Sequence, residues 1–207
     1  MFSLYFELRM EEHQMGLALK KENEKYTYGD YKYWNDERYE LINGEIYNMS
    51  PAPRRIHQKI SGTLFALFHT YLKSKPCEVY NAPFDVRLPE YENQHDDTIE
   101  SVVQPDIVVI CDKNKLDEFG CKGAPDIVIE ILSPATSKKD LTEKFYLYEK
   151  HKVKEYWIVY PYEQVLHIYL LQPDGKYDKS KIYTIDDTCT VHLFEDMTVD
   201  MREVFGE

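Results

Sequence analysis

The run SVVQPDIVVICD, residues 101–112, and the run APDIVIEILSP, residues 124–134, decide the fold. Each contains a Pro-Asp step, Pro105-Asp106 and Pro125-Asp126, followed by an almost unbroken series of Val and Ile. A strand with water on one face alternates apolar and polar residues, whereas an unbroken apolar series reads as a strand buried on both faces. Two such strands need cover on either side. The chain is therefore expected to be α/β (α+β), one mixed central sheet flanked by helices.

Working outward, HQKISGTLFALFHTYLKS (57–74) spaces Ile60, Leu64, Leu67, Phe68, Tyr71 and Leu72 as one face of an amphipathic helix. Upstream, RYELINGEIYNMS (38–50) reads as a hairpin, because Asn43-Gly44 tolerates the positive φ of a type I′ turn. CEVYNAPFDVRL (77–88) reads as a strand, and KKDLTEKFYLYEKHKVK (138–154) as a second helix. YWIVYP, QVLHIYLLQ, YDKSKIYTI and TVHLF complete the strands, with Pro161-Tyr162 and Pro173-Asp174-Gly175 as turns.

The 207 residues carry 43% hydrophobic and 30% charged residues, enough apolar content for a core and too much for disorder. The net charge of −12 repels a phosphate backbone, so a nucleic-acid role needs a local basic site or bound cations. Lys138, Lys139, Lys144, Lys150, Lys152 and Lys154 are the densest basic stretch, a phosphate track or a solvated helix face interspersed with Glu143, Glu149 and Glu155. Cys77, Cys111, Cys121 and Cys189 show no CxxC pair and are expected to be free thiols of a reducing cytosol. Residues 1–25 are expected to be an appendage without a signal peptide's shape, and residues 26–207 one domain. No stretch of about 18 apolar residues suggests a membrane span.

Asp106 and Glu130 stand at the ends of the two apolar strands. An ionised carboxylate there is costly unless it is paired or bound to a metal. Two acids on adjacent strands suit a hard divalent cation; the alternative is that each faces solvent or meets a basic side chain. Asp140, Lys144 and Tyr148 recur at four-residue spacing on the second helix. They are either a surface ion pair beside a core tyrosine, or a lysine held over the sheet acids.

Pro105-Asp106 followed by Glu130-Ile131-Leu132 is similar to the PD-(D/E)XK nuclease signature. The ordered series RYELINGEIYNMSPAP, HQKISGTLF, APFDVRLP, VVQPDIVVICD, GAPDIVIEILSPATSKKDLTEK and YLYEKHKVKEYWIVYP more specifically resembles the restriction-endonuclease-like proteins of the Uma-two family. That resemblance implies a restriction-endonuclease-like sheet and a metal-dependent endonuclease that hydrolyses phosphodiester bonds. Asp106 and Glu130 would be metal-binding acids, with the Ile131 carbonyl as a third oxygen. Position 132, where the superfamily carries lysine, holds Leu132 here, so Lys144 is expected to take its place from the helix. The resemblance also implies polar site roles for Glu45 and His57.

It implies Mg2+ or Mn2+ as cofactor, DNA as substrate, a cytoplasmic location and no membrane association. A homodimer is expected, through exposed tyrosines or the C-terminal strands. The competing reading is a catalytically inactive nuclease fold serving as a binding or dimerisation module, which Leu132 and the acidic balance favour. A live site requires Asp106, Glu130 and Lys144 to converge, whereas separated or salt-bridged carboxylates count against catalysis.

Overall fold

A computed structural model describes residues 24–34, 39–49, 52–134 and 137–206. Of the expected appendage at 1–25, residues 1–23 lie outside the described residues.

The central sheet has six strands: β3 (Glu78–Asn81), β6 (Ile107–Ile110), β9 (Ile127–Ile131), β10 (Glu155–Tyr160), β11 (Val165–Leu170) and β12 (Lys181–Thr184), adjacent in that order. β9 and β10 run parallel and the other neighbours antiparallel, so the sheet is mixed, as expected. Strand parity divides its side chains between two cores. Ile127, Ile129, Ile131, Trp157 and Val159 pack with helix α2 (Arg55–Leu72), which buries Ile60, Leu64, Phe68 and Leu72 against them. Phe68 meets Trp157 edge-on with centroids 5.6 Å apart. Burying each such side chain contributes roughly 2 kcal/mol, so this seam anchors α2 and the residues at its N-terminus.

The opposite parity, Val108, Ile110, Val128, Tyr156 and Ile158, packs against helix α4 (Glu143–Lys150) and a second six-stranded sheet. That sheet contains β1 (Tyr39–Ile42), β2 (Glu45–Asn48), β4 (Val86–Arg87), β5 (Val102–Val103), β7 (Leu116–Asp117) and β8 (Gly120–Lys122). β1 and β2 form the expected hairpin, with Asn43 and Gly44 both at positive φ (53° and 82°). A short helix α1 (Tyr28–Tyr31) packs on it. A two-stranded ribbon, β13 (Thr188–Thr190) and β14 (Thr198–Asp200), and helix α5 (Met201–Phe205) close the first core.

Three local features depart from the sequence reading. The runs 77–88 and 101–112 each supply a strand to both sheets, β3 then β4 and β5 then β6, crossing at Ala82–Asp85 and at Gln104–Asp106. The second helix is two: α3 (Ser137–Leu141) and α4, parted by Thr142 at φ −124°, ψ −82°. The expectation of four free thiols is corrected, because Cys77 and Cys111 form a disulfide. The antiparallel register pairs Glu78 with Ile110, so the next residues along, Cys77 and Cys111, come face to face. Cys121 and Cys189 are free and buried, and burial pushes each thiol up to about 12.

Candidate functional site

The site forms where the chain leaves the second sheet and enters the central one. β6 and β9 pair Ile107 with Ile129, and continuing that antiparallel register by one residue sets Asp106 opposite Glu130. Opposite residues in such a pair project from the same face, here the face turned toward α4 and the second sheet. Asp106 Oδ2 accepts the Ile131 N–H at 2.7 Å, and the Asp106 carbonyl accepts the Ala82 N–H at 3.0 Å. Both ends of the residue are thereby fixed to the crossing point. Glu130 is 4% exposed, and its Oε1 accepts both the Tyr148 hydroxyl and the Lys144 ammonium at 2.8 Å.

Lys144 reaches down from α4 and is itself buried. Its Nζ lies 2.8 Å from Glu130 Oε1, 2.8 Å from Glu40 Oε1 and 3.5 Å from Asp140 Oδ1. Burial alone would lower its pKa, but these carboxylates outweigh burial and hold it well above the usual lysine range. Lys144 is therefore a fixed ammonium. The shortage of positive charge falls on Glu130, whose pKa burial pushes up to about 8, aided by Asp140, Asp106 and Glu40 and opposed by Lys144. Of the two readings of the Asp140, Lys144, Tyr148 spacing, the geometry is that of a lysine over the sheet acids. Thr142, on the opposite side of the helical path, absorbs the break.

Glu40 is the acid that sequence reading passed over. It lies on β1, is fully buried, and its Oε1 accepts the Gln104 N–H at 3.0 Å as well as Lys144, while Lys139 pairs with Oε2. Burial would raise its pKa, yet Lys144 and Lys139 hold it below the usual carboxylate range. Only the structure shows that all four residues of YELI are buried; its sequence is a four-residue run holding one acid, without the long Val and Ile series that singled out Glu130. Glu45 instead sits on the exposed strand β2, accepts the Tyr47 hydroxyl at 3.3 Å, and lines a separate groove with Glu143 and Tyr146.

His57 stands in the first turn of α2 with Nε2 3.2 Å from Asp106 Oδ2. Burial lowers its pKa, but the Asp106 carboxylate and a hydrogen bond to the Ile131 backbone more than compensate and raise it. Asp106, Glu130, Lys144 and His57 thus line one cleft of about 390 Å³, together with Glu40 and Lys139. Of the six lysines of the basic stretch, Lys139 and Lys144 line this cleft. Lys150 pairs with Glu90, Lys154 with Asp126, and Lys152 donates to the Gly175 carbonyl. The stretch is not a continuous phosphate track.

Among the described residues, no group of three or more His, Cys, Asp or Glu side chains is arranged to hold a metal ion. The fit to a hard cation rests on a smaller donor set. The hydrogen bonds of Asp106 all fall on Oδ2 and those of Glu130 on Oε1, so Oδ1 and Oε2 accept none among the described residues. Two carboxylate oxygens and a backbone carbonyl suffice for an ion that, like magnesium, keeps several of its waters. The charge balance agrees, because Asp106, Glu40 and Asp140 outnumber Lys144 and Lys139 even with Glu130 protonated.

The same chain path occurs elsewhere. A crystal structure described as "a putative nuclease belonging to DUF820" from Anabaena variabilis superposes with a TM-score of 0.67, covering 86% of this chain and 97% of that one at 21% identity. At that identity the match speaks for the fold. An uncharacterized protein, slr1290, of Synechocystis is 27% identical over 150 residues, 70% of this chain and 74% of the relative. A family model described as "Putative restriction endonuclease" matches residues 28–202, spanning both sheets and every residue of the cleft. With that match over residues 28–202 the chain belongs to the Uma2 family.

Proposed function

We propose that the chain is a metal-dependent endonuclease that hydrolyses phosphodiester bonds in DNA. The observation that carries this reading is Lys144, a buried ammonium 2.8 Å from Glu130 in the cleft where Asp106 opens onto the same face. In this reading Asp106, Glu130 and the Ile131 carbonyl hold Mg2+ or Mn2+. When bound, such an ion polarises a phosphoryl oxygen and lowers the pKa of a coordinated water. Lys144 sets a preorganised positive charge against the negative charge that develops on the phosphoryl group. His57, oriented by Asp106, serves proton transfer or substrate positioning. In this reading no step is assigned to Glu45, which lines a separate groove.

The proposal treats residues 26–207 as one functional domain, since the cleft draws on β1 from one sheet, on β9 from the other and on Asp106 in the crossing between them. Among the described residues no helix is long and apolar enough to cross a membrane. A DNA substrate would place the work of the chain in the cytoplasm. A homodimer would form through β12, an edge strand of the central sheet on which Ile182 is 58% exposed.

One observation favours the second reading, an inactive binding or dimerisation module: Glu130 is already salt-bridged to Lys144. Cleavage of supercoiled plasmid and of single-stranded oligonucleotide, with Mg2+, Mn2+ or chelator, separates the two. Metal-dependent cutting that is lost in Asp106→Ala and in Lys144→Ala supports the nuclease. Cutting that survives Asp106→Ala, or no cutting under any condition, moves the weight to the binding module.

A further inference from the structure

Both oxygens of Glu40 are engaged. Oε1 takes the Lys144 ammonium and the Gln104 N–H, and Oε2 takes Lys139. Neither oxygen is left to face a cation or a substrate, yet the residue is fully buried in the wall of the cleft. It also belongs to the sheet that carries neither Asp106 nor Glu130. Its hydrogen bond to the Gln104 N–H ties it to the crossing segment two residues ahead of Asp106.

Lys139 lines the cleft with a side chain 12% exposed, and among the described residues Glu40 is its one ion-pair partner. A lysine on a flexible stem gains directional value only when something fixes its head. We propose that Glu40 is a positioning residue that clamps Lys144 and Lys139 as a pair of cations facing the substrate phosphate. The assignment rests on the nuclease reading above for what the pair acts upon, but not for the clamp itself. It adds Lys139 as a second phosphate-facing cation and explains why an acid is buried between two lysines on the far sheet. Preorganised charge of this kind acts without reorganisation when the reaction occurs.

The test has two arms. The first does not depend on activity: acetylation of the full chain by acetic anhydride, read by mass spectrometry at each lysine, with exposed Lys138 as internal reference. In Glu40→Gln, which keeps the shape and an acceptor for the Gln104 N–H, labelling of Lys139 should rise about fivefold or more and that of Lys144 should rise with it. Unchanged labelling at both lysines overturns the proposal, whether or not the chain cuts DNA. Should Glu40→Gln fail to fold, Glu40→Asp serves in its place. It retains the charge on a shorter stem, and its labelling should fall between wild type and full release.

The second arm is a double-mutant cycle on plasmid cleavage with Mg2+. Glu40→Gln should lower kcat by about 100-fold with little change in KM, and Glu40→Asp should recover part of that loss. In a Lys139→Ala background, the further loss from Glu40→Gln should be smaller than its loss in wild type, because one of the two groups it positions is gone. Fully additive losses would mark Glu40 as merely structural and sink the assignment. A wild-type chain that cuts nothing defeats the nuclease reading alone, and the labelling arm then decides for or against the clamp.

Discussion

Tyr148 donates its hydroxyl to Glu130 Oε1 at 2.8 Å, sharing that oxygen with Lys144 one helical turn earlier. The two donors fix the carboxylate's orientation from the same helix, so α4 works as a lid that sets the direction of a sheet acid. Burial first, then the nearby carboxylates, hold the Tyr148 pKa well above the usual range, so the hydroxyl is always a donor. Tyr148→Phe deletes that hydrogen bond and leaves the ring in place. It should cost about 1 kcal/mol of stability at neutral pH, the usual net scale for a hydrogen bond to an uncharged group, since Glu130 is largely protonated there. Urea unfolding of the variant beside wild type checks this, and superimposable curves would contradict it.

Glu130 gives a pH signature with a defined sign. Its pKa rises from 4.5 to about 8 on folding. A carboxyl raised in this way binds its proton more tightly in the folded state, so its favourable contribution is complete below pH 4.5 and is lost progressively as pH rises toward 8. Glu130→Gln removes the titration and keeps the shape. The variant should be more stable than wild type at pH 8, with the difference shrinking toward pH 5, while any cleavage activity disappears. Denaturant midpoints of both proteins at pH 5 and pH 8 provide the comparison. A gap that widens toward acid pH would contradict the assignment of the shift to Glu130.

The two buried strands were legible because an unbroken Val and Ile series has few other meanings, and Asp106 and Glu130 stood out as the acids within it. His57 followed from the family resemblance and Lys144 from its spacing with Asp140 and Tyr148 as well, and the structure brings both to the same cleft. What stayed hidden depended on long-range pairing. Residues 101–112 read as one strand, but Val102 and Val103 pair with the second sheet while Ile107 pairs with the central one. That exchange is what puts Asp106 at a corner. Glu40 was missed for the opposite reason. Its strand was read only as half of a hairpin, which says nothing of burial, whereas all four of its residues are buried. The break at Thr142 also left no local mark, since neither Gly nor Pro lies in that helix.

Cysteine chemistry supplies a count. Cys77 and Cys111 are joined across β3 and β6, while Cys121 and Cys189 are free thiols in the interior. Thiol titration of the protein unfolded without reductant should therefore find two reactive groups, rising to four after reduction. The native protein should react slowly, because the Cys121 and Cys189 thiols are buried and hold their protons. Four thiols before reduction would show that the bridge does not form in solution.

Removing the central cation tests how the cluster shares its charge. Lys144→Met keeps the length of the stem but leaves Glu130, Glu40 and Asp140 without their common partner. Breaking one side of a buried ion pair costs about 3–5 kcal/mol, because the remaining charge stays desolvated. Two features temper that cost here. Glu40 retains Lys139, and Glu130 can take up a proton, its pKa already lying near 8. The loss should thus be about 3 kcal/mol at pH 8 and smaller at pH 5, where Glu130 is protonated and leaves less uncompensated charge. Lys144→Arg should not restore wild-type stability, since a planar fork cannot take the place of a point charge among three carboxylates. Denaturant unfolding at the two pH values decides the matter. An equal loss at both would mean that Lys144 contributes through its packed stem and not through its charge.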